Sequence, residues 1–234
     1  VTLPPGGWRA LGLINMYESR IHNKWPFAKE GLPFILSGLG VALLLLFFDL
    51  EVLSVLVGLF TLFAAYFFRD PERKIPSPDN AILPPADGRI VEVAHLNDGA
   101  NPLGVPAKKL SIFMSVFSVH INRIPISGLI ENVTYQPGKF FSANLDKASQ
   151  ENERNQITLL TKDSRKIVFI QIAGLIARRI ACWVRESDTV EAGQRFGLIR
   201  FGSRLEIYVP EDTRIMVTKG QTVKAGETII GYLS

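Results

Sequence analysis

Cysteine is all but absent: Cys182 is the single one in 234 residues. No intrachain disulfide can form, and the apolar flank Ile180-Ala181 and Trp183-Val184 marks it as a buried, unreactive thiol. Histidine is nearly as scarce, at three. No Cys/His group has metal-ligand spacing, so a metal centre is not expected. Basic charge is thin as well. The net charge is +4, and no run of Lys and Arg interleaved with aromatics occurs, which argues against nucleic acid as a partner. A mildly basic chain with a membrane segment suits an anionic lipid surface instead. A cleaved leader is not expected either, because the first apolar run begins late and no small-residue cleavage site follows it.

What the chain does have is hydrophobicity, 47% of residues, and the excess is local. Residues 31–48 are apolar without a charge, Asp49-Leu50-Glu51 interrupts, and residues 52–68 are apolar again. Each run is about the length that crosses the hydrocarbon core, roughly 20 residues, with flanking residues snorkelling. This predicts a transmembrane helical hairpin. Ahead of it, residues 1–30 mix Trp8, Tyr17, Trp25 and Phe27 with Arg9, Arg20, Lys24 and Lys29, a pattern that suits an interfacial segment. Cations flank both outer ends (Arg20, Lys24 and Lys29 before, Arg69, Arg73 and Lys74 after), whereas the connecting turn carries only acids. That asymmetry places the C-terminal domain on the cytoplasmic side of the cell membrane.

Residues 69–80 are charged and proline-rich and read as a linker. From residue 81 to 234 the pattern changes to short β-rich runs between Gly, Pro and Asn. Strands are predicted at 89–94, 109–113, 128–135, 156–161, 166–172, 181–184, 197–201, 204–209, 213–217 and 228–233. Helix is plausible only at 176–180 and in parts of 141–153. The domain is therefore read as mostly β, with crossing sheets or a barrel. An internal repeat supports this: Thr189-Val190-Glu191-Ala192-Gly193-Gln194 returns as Thr222-Val223-Lys224-Ala225-Gly226-Glu227. Two copies fit a pseudo-symmetric unit better than a solenoid. The repeat resembles the turn of biotinyl and lipoyl carrier domains, which implies a barrel-sandwich. No Met-Lys or Asp-Lys tip lies between the copies; Gly202-Ser203 lies there instead.

A Gly-Ser pair alone reads as a turn. Of the histidines, His22 lies near the membrane segment and His95 in a turn, while His120 stands between apolar neighbours. Asp87, in Pro84-Pro85-Ala86-Asp87-Gly88, reads locally as an Asp-Gly turn. Three stretches taken together say more. Leu83-Pro84-Pro85-Ala86-Asp87-Gly88-Arg89-Ile90-Val91-Glu92-Val93, Phe117-Ser118-Val119-His120-Ile121-Asn122-Arg123-Ile124-Pro125-Ile126-Ser127-Gly128 and the segment from Arg195 through Gly202-Ser203 to Pro210 occur in that order. The chain from about Arg69 onward resembles the phosphatidylserine decarboxylase family in its short, membrane-anchored form.

The resemblance implies a proenzyme that cuts its own Gly202–Ser203 bond. Ser203 becomes a covalent pyruvoyl group, the cofactor, which forms a Schiff base with the substrate amine. Phosphatidylserine would then be decarboxylated to phosphatidylethanolamine and CO2, the group acting as the electron sink that PLP provides elsewhere. Catalytic residues would be Ser203, His120 as base and proton donor, and Asp87, orienting His120 and favouring its protonated form. Long-form relatives carry a second histidine where this chain has Arg123. Arg123, Arg178 and Arg179 are candidates for headgroup binding, and residues 137–144 with 151–155 are candidates for a lid. Expected partners are a phospholipid substrate, the membrane, the cleaved C-terminal chain and a homo-oligomeric copy. Two alternatives remain open at this point: an archaetidylserine decarboxylase of the same mechanism, and a non-catalytic membrane-anchored carrier or adaptor module.

Overall fold

A computed structural model describes residues 18–97, 99–139, 141, 151–175, 180–200 and 202–234. Two helices come first, α1 (Leu32–Phe47) and α2 (Glu51–Phe67), turned back on each other through Asp49 at φ 58°. No residue of α1 is buried, and most of its large side chains face outward. The helix running Lys29–Phe47 is long and apolar enough to cross a membrane; α2 is apolar but shorter. The two pack closely where Gly38 faces Thr61: a Cβ on Gly38 would lie 2.3 Å from Thr61 Oγ1.

The foot of this hairpin is stitched to the rest of the chain. Ala28 N–H donates to Phe68 O at 2.7 Å and Asp70 N–H to Pro26 O at 2.8 Å. Buried Asn23 donates Nδ2 to Asp70 Oδ2 at 2.9 Å. Asp70 in turn pairs with Arg195 at 2.9 Å and with Arg123 at 3.5 Å. The charged stretch after α2, read from sequence as a plain connection, thus carries a buried ionic node that joins the hairpin to the β-rich part.

Strands follow in chain order: β1 (Ala81–Ile82), β2 (Gly88–Leu96), β3 (Ala107–Met114), β4 (Ile121–Arg123), β5 (Gly128–Gln136), β6 (Arg154–Thr161), β7 (Lys166–Ile172), β8 (Ile180–Cys182), β9 (Thr189–Val190), β10 (Arg195–Ile199), β11 (Ser203–Pro210), β12 (Arg214–Ile215), β13 (Thr222–Val223) and β14 (Gly231–Tyr232). One eight-stranded sheet has the order β13-β2-β3-β11-β7-β6-β5-β9; two small ones are β1-β14-β12 and β4-β10-β8. Alternation buries one face: Ile90 of β2 and Ile130 of β5, near opposite ends of the long sheet, belong to one core cluster with Ile112, Leu159, Phe169 and Leu205. The sheet is therefore curled around its own apolar face.

These strand orders are palindromic. β1, β2 and β3 correspond to β4, β5 and β6; β11 to β7; β12, β13 and β14 to β8, β9 and β10. The hydrogen bonds repeat as well. Leu83 N–H donates to Pro125 O at 2.8 Å, and Arg123 N–H to Pro85 O at 3.0 Å. Irregular pairing occurs between Ile90 and Glu92 in β2 and between Ile130 and Asn132 in β5. Gly88 and Gly128 sit where a Cβ would come within 2.2 Å of Phe113 O and 2.3 Å of Leu160 O, so each is required by a close backbone approach. The repeat seen in the sequence forms β9 and β13, the two edges of the long sheet. One half, β4 to β10, is continuous and is inserted between β3 and β11 of the other. The chain returns from the inserted half at Gly202-Ser203.

Candidate functional site

Ser203 opens β11, a central strand bonded to β3 on one side and β7 on the other, and pairs with Met114. It is fully buried. Its Oγ donates to Met114 Sδ at 3.3 Å, a weak acceptor that leaves the hydroxyl loosely committed. Gly202 stands at φ +62°, and among the described residues, its chain neighbours aside, no atom lies within 4 Å of the place a Cβ would take. Glycine is the residue that takes this backbone conformation without strain.

Beneath Ser203 runs a chain of buried amides. Asn155 Nδ2 donates to Gln171 Oε1 at 3.0 Å and Gln171 Nε2 to Asn122 Oδ1 at 2.8 Å. Asn122 Nδ2 then approaches the same Met114 sulfur at 3.8 Å. A fully satisfied buried network fixes side-chain positions. Sequence reasoning assigned Asn122, Gln171 and Met114 no role of their own and put Asn155 in a candidate lid, whereas here it is buried in β6. The available signal was an amide set into an apolar strand, as Gln171 is in Val168-Phe169-Ile170-Gln171-Ile172.

His120 lies just before β4. Leu198 of β10 pairs with Ile121, and His120 precedes Ile121 on one strand as Ile199 follows Leu198 on the other. The imidazole is buried, with the Phe67 ring 4.0 Å away, centroid to centroid. Neither ring nitrogen has a hydrogen-bond partner among the described residues. Burial pushes its pKa down to about 4, and the Arg69 cation adds to the effect against a backbone contact at Ser118. His120 is therefore neutral at physiological pH, the form that accepts a proton.

Asp87 is held elsewhere. Its Oδ2 accepts from Arg73 at 2.8 Å and its Oδ1 from Ala225 N–H at 2.7 Å. No hydrogen bond joins it to His120 among the described residues. Burial raises its pKa, opposed chiefly by the Arg73 charge. In the other half, Ser127 Oγ accepts Ala192 N–H at 2.9 Å, so Asp87 caps one copy of the repeated turn as Ser127 caps the other.

Arg123 does not face an open cleft. It is buried and donates to Gly193 O and Pro71 O, both at 2.9 Å, beside Asp70. Burial first, then the neighbouring Arg195, lowers its pKa to about 10, which leaves it cationic. The geometry makes it a clamp between the hairpin foot and the turn at Gly193. Arg178 and Arg179 lie outside the described residues, as does much of the lid candidate at 137–144.

The sequence profile described as phosphatidylserine decarboxylase matches residues 60–231. The chain is 51% identical over 205 residues to the phosphatidylserine decarboxylase proenzyme of Syntrophus aciditrophicus, which covers 87% of this chain and 96% of the relative. It is 46% identical over 208 residues to the corresponding proenzyme of Desulfotalea psychrophila, covering 89% and 97%. A third such proenzyme, from Nitrobacter winogradskyi, is 47% identical over 207 residues, covering 88% and 83%.

Proposed function

The chain belongs to the phosphatidylserine decarboxylase family and is an enzyme of it, and from that premise we propose that it cuts its own Gly202–Ser203 bond and decarboxylates phosphatidylserine with a group made from Ser203. The observation that carries the reading is Ser203 itself. It is buried at the head of a central strand, its hydroxyl is held among the described residues only by a thioether, and a glycine in a left-handed conformation precedes it.

In self-cleavage, Ser203 Oγ attacks the Gly202 carbonyl and the amide becomes an ester. Loss of the Ser203 Cα proton to a base then expels the Gly202 carboxylate. The enamine left on the new chain start takes up water and releases ammonia, leaving a pyruvoyl end. That group fits the site, since the position is buried and paired with Met114 of β3, and the strand is held by β7 as well from Arg204 onward. When present, it supplies an electron sink for the bond that releases CO2. His120 is the base we assign, being neutral and unpartnered among the described residues. Phe67 shields it from water. Asp87, occupied by Arg73 and the Ala225 amide, we place in the framework that holds the two halves together, and Arg123 likewise.

We read the curled sheet with its two edge repeats as a barrel-sandwich of the carrier-domain kind. We read α1 and α2 as entering the bilayer, with the β-rich domain on the cytoplasmic side, where the flanking cations favour it. The substrate's two chains keep it in the bilayer, which is the physical reason for a tethered enzyme.

The test is intact mass together with one variant. Wild-type protein should yield a chain ending at Gly202 and a fragment 203–234 whose first residue has lost its amine. Ser203→Ala should remain one chain and form no CO2 from phosphatidylserine. Full activity in Ser203→Ala would falsify the reading.

A further inference from the structure

A cavity of about 630 Å³ opens beside the base of α1; His120 does not line it, but Trp183 and Leu198 of its wall pack in one apolar cluster with Phe67, Val119 and Ile121. Its walls come from two sources. Pro33 and Phe34 belong to the first turn of α1, next to Lys29, Glu30 and Arg20; Trp183, Leu198 and Arg200 come from β8, β10 and their flanks. It therefore lies where an outward-facing apolar helix meets a folded polar domain, the level of lipid phosphates for a helix that enters a bilayer. Among the described residues three cations line it against one carboxylate, Glu30, and that carboxylate is ion-paired with Arg20. Lys29 has no carboxylate partner among the described residues. The Arg200 guanidinium lies 5.5 Å from the Phe34 ring centroid, which holds it over the start of α1. Arg200 is also three positions before Ser203.

From the proposed role of Ser203, we infer that this cavity is the seat of the phosphodiester of a lipid headgroup, gripped by Lys29, Arg20 and Arg200 while the acyl chains lie along the exposed face of α1. Its size suits a small polar ligand, such sites running to roughly 300–1,000 Å³. The mixed lining suits a ligand with one charged and one greasy end. Arg200 belongs to the segment that leads along the chain into the reacting position, three residues ahead of Ser203. An aqueous phosphodiester or inorganic phosphate offers the same charge to these side chains; only a lipid also uses the α1 face.

The experiment uses full-length Ser203→Ala protein, so that binding is read without chemistry. Calorimetry would measure its affinity for phosphatidylserine in phosphatidylcholine nanodiscs, for soluble glycerophosphoserine and for inorganic phosphate. Lys29→Glu should weaken the nanodisc affinity by about tenfold, the scale of one charge-assisted hydrogen bond, and Lys29→Gln by less. Glycerophosphoserine should bind the parent protein more weakly than the lipid and lose affinity in the same variants. Inorganic phosphate binding as tightly as the lipid would make this a general anion site and overturn the lipid assignment. Equal affinity in parent, Lys29→Glu and Lys29→Gln would overturn the site itself. In cleavage-competent protein, the same substitutions should raise KM for phosphatidylserine with little change in kcat. The binding outcomes are independent of whether wild-type protein cleaves itself, so failure of the Ser203 reading is seen separately, by mass.

Discussion

At the scale of the residue, the buried imidazole of His120 carries a pH signature. Burial moves its pKa from 6.5 to about 4, so between those values the unfolded chain binds a proton that the native chain does not. Stability is then unaffected above about pH 6.5 and falls as pH drops toward 4, by up to about 3 kcal/mol at 1.36 kcal/mol per unit. Chemical denaturation of uncleaved Ser203→Ala protein should show this acid slope, and Ser203→Ala/His120→Gln should show a shallower one. Identical slopes in the two would mean that His120 is solvated. Ser203, His120 and Asp87 stand out in the sequence through motifs; the partners that the fold gives their side chains do not. Asp87 reads equally well as a turn residue or a charge for His120, and only the fold shows that its oxygens go to Arg73 and the Ala225 amide. Met114 meets the Ser203 hydroxyl, and Asn122, Gln171 and Asn155 run in a relay to that same sulfur from different strands; linear spacing carries no trace of that.

Among the elements, the hairpin reaches into the surroundings of His120, because α2 ends on Phe67 and that ring covers the imidazole. Phe67→Ala should cost about 3 kcal/mol or more in packing and also admit water to the imidazole. The pKa of His120 should then rise toward 6.5. Wild-type self-cleavage should be flat from about pH 7 down to pH 5, whereas Phe67→Ala should slow as pH falls below about 6.5, its base now protonated. A time course of chain cleavage across pH checks this; parallel profiles for the two proteins would show that Phe67 does not control the imidazole. Strands with clear alternation were readable: 166–172 was predicted and β7 is Lys166–Ile172, and β2, β3, β5 and β6 extend their predicted cores by a few residues. Two-residue strands such as β1, β9 and β13 are too short to hold a period. β4, Ile-Asn-Arg, has two polar side chains buried by neighbours that local sequence does not name. Conversely, 213–217 and 228–233 shrink to β12 and β14, since only two residues of each find a ladder partner.

For the whole molecule, the two-fold pattern was half visible. The Thr-Val-x-Ala-Gly repeat announces β9 and β13, but the matching Pro84-Pro85-Ala86-Asp87-Gly88 and Ile124-Pro125-Ile126-Ser127-Gly128 share only Pro and Gly at equivalent places. What the two stretches have in common is backbone geometry: a close approach at the glycine, a side-chain oxygen on an alanine amide, and a strand-to-strand bond at each proline carbonyl. Several side chains meet those demands, so the likeness appears in the fold and fades in the sequence.

Because β11 sits in the middle of the long sheet, a cut at its first residue does not free the piece beyond it. From Ser203 to Pro210 the strand is paired with β3, and along Arg204–Tyr208 with β7 as well; β13, further along the same fragment, closes the far edge of the sheet on β2. A peptide released from an edge could peel away one bond at a time. This one is a zipped-in staple whose departure requires the sheet to open down its middle, so its escape rate should equal the rate of global unfolding. The two pieces of cleaved protein should co-elute in native buffer and refuse exchange with an isotope-labelled 203–234 peptide. They should part only at denaturant concentrations that also abolish the folded signal. Exchange under native conditions would show that the strand can leave alone. If it cannot, the self-cleavage proposed above would be a one-way ratchet: the backbone would be severed once, and the molecule would keep its shape as a two-chain clasp.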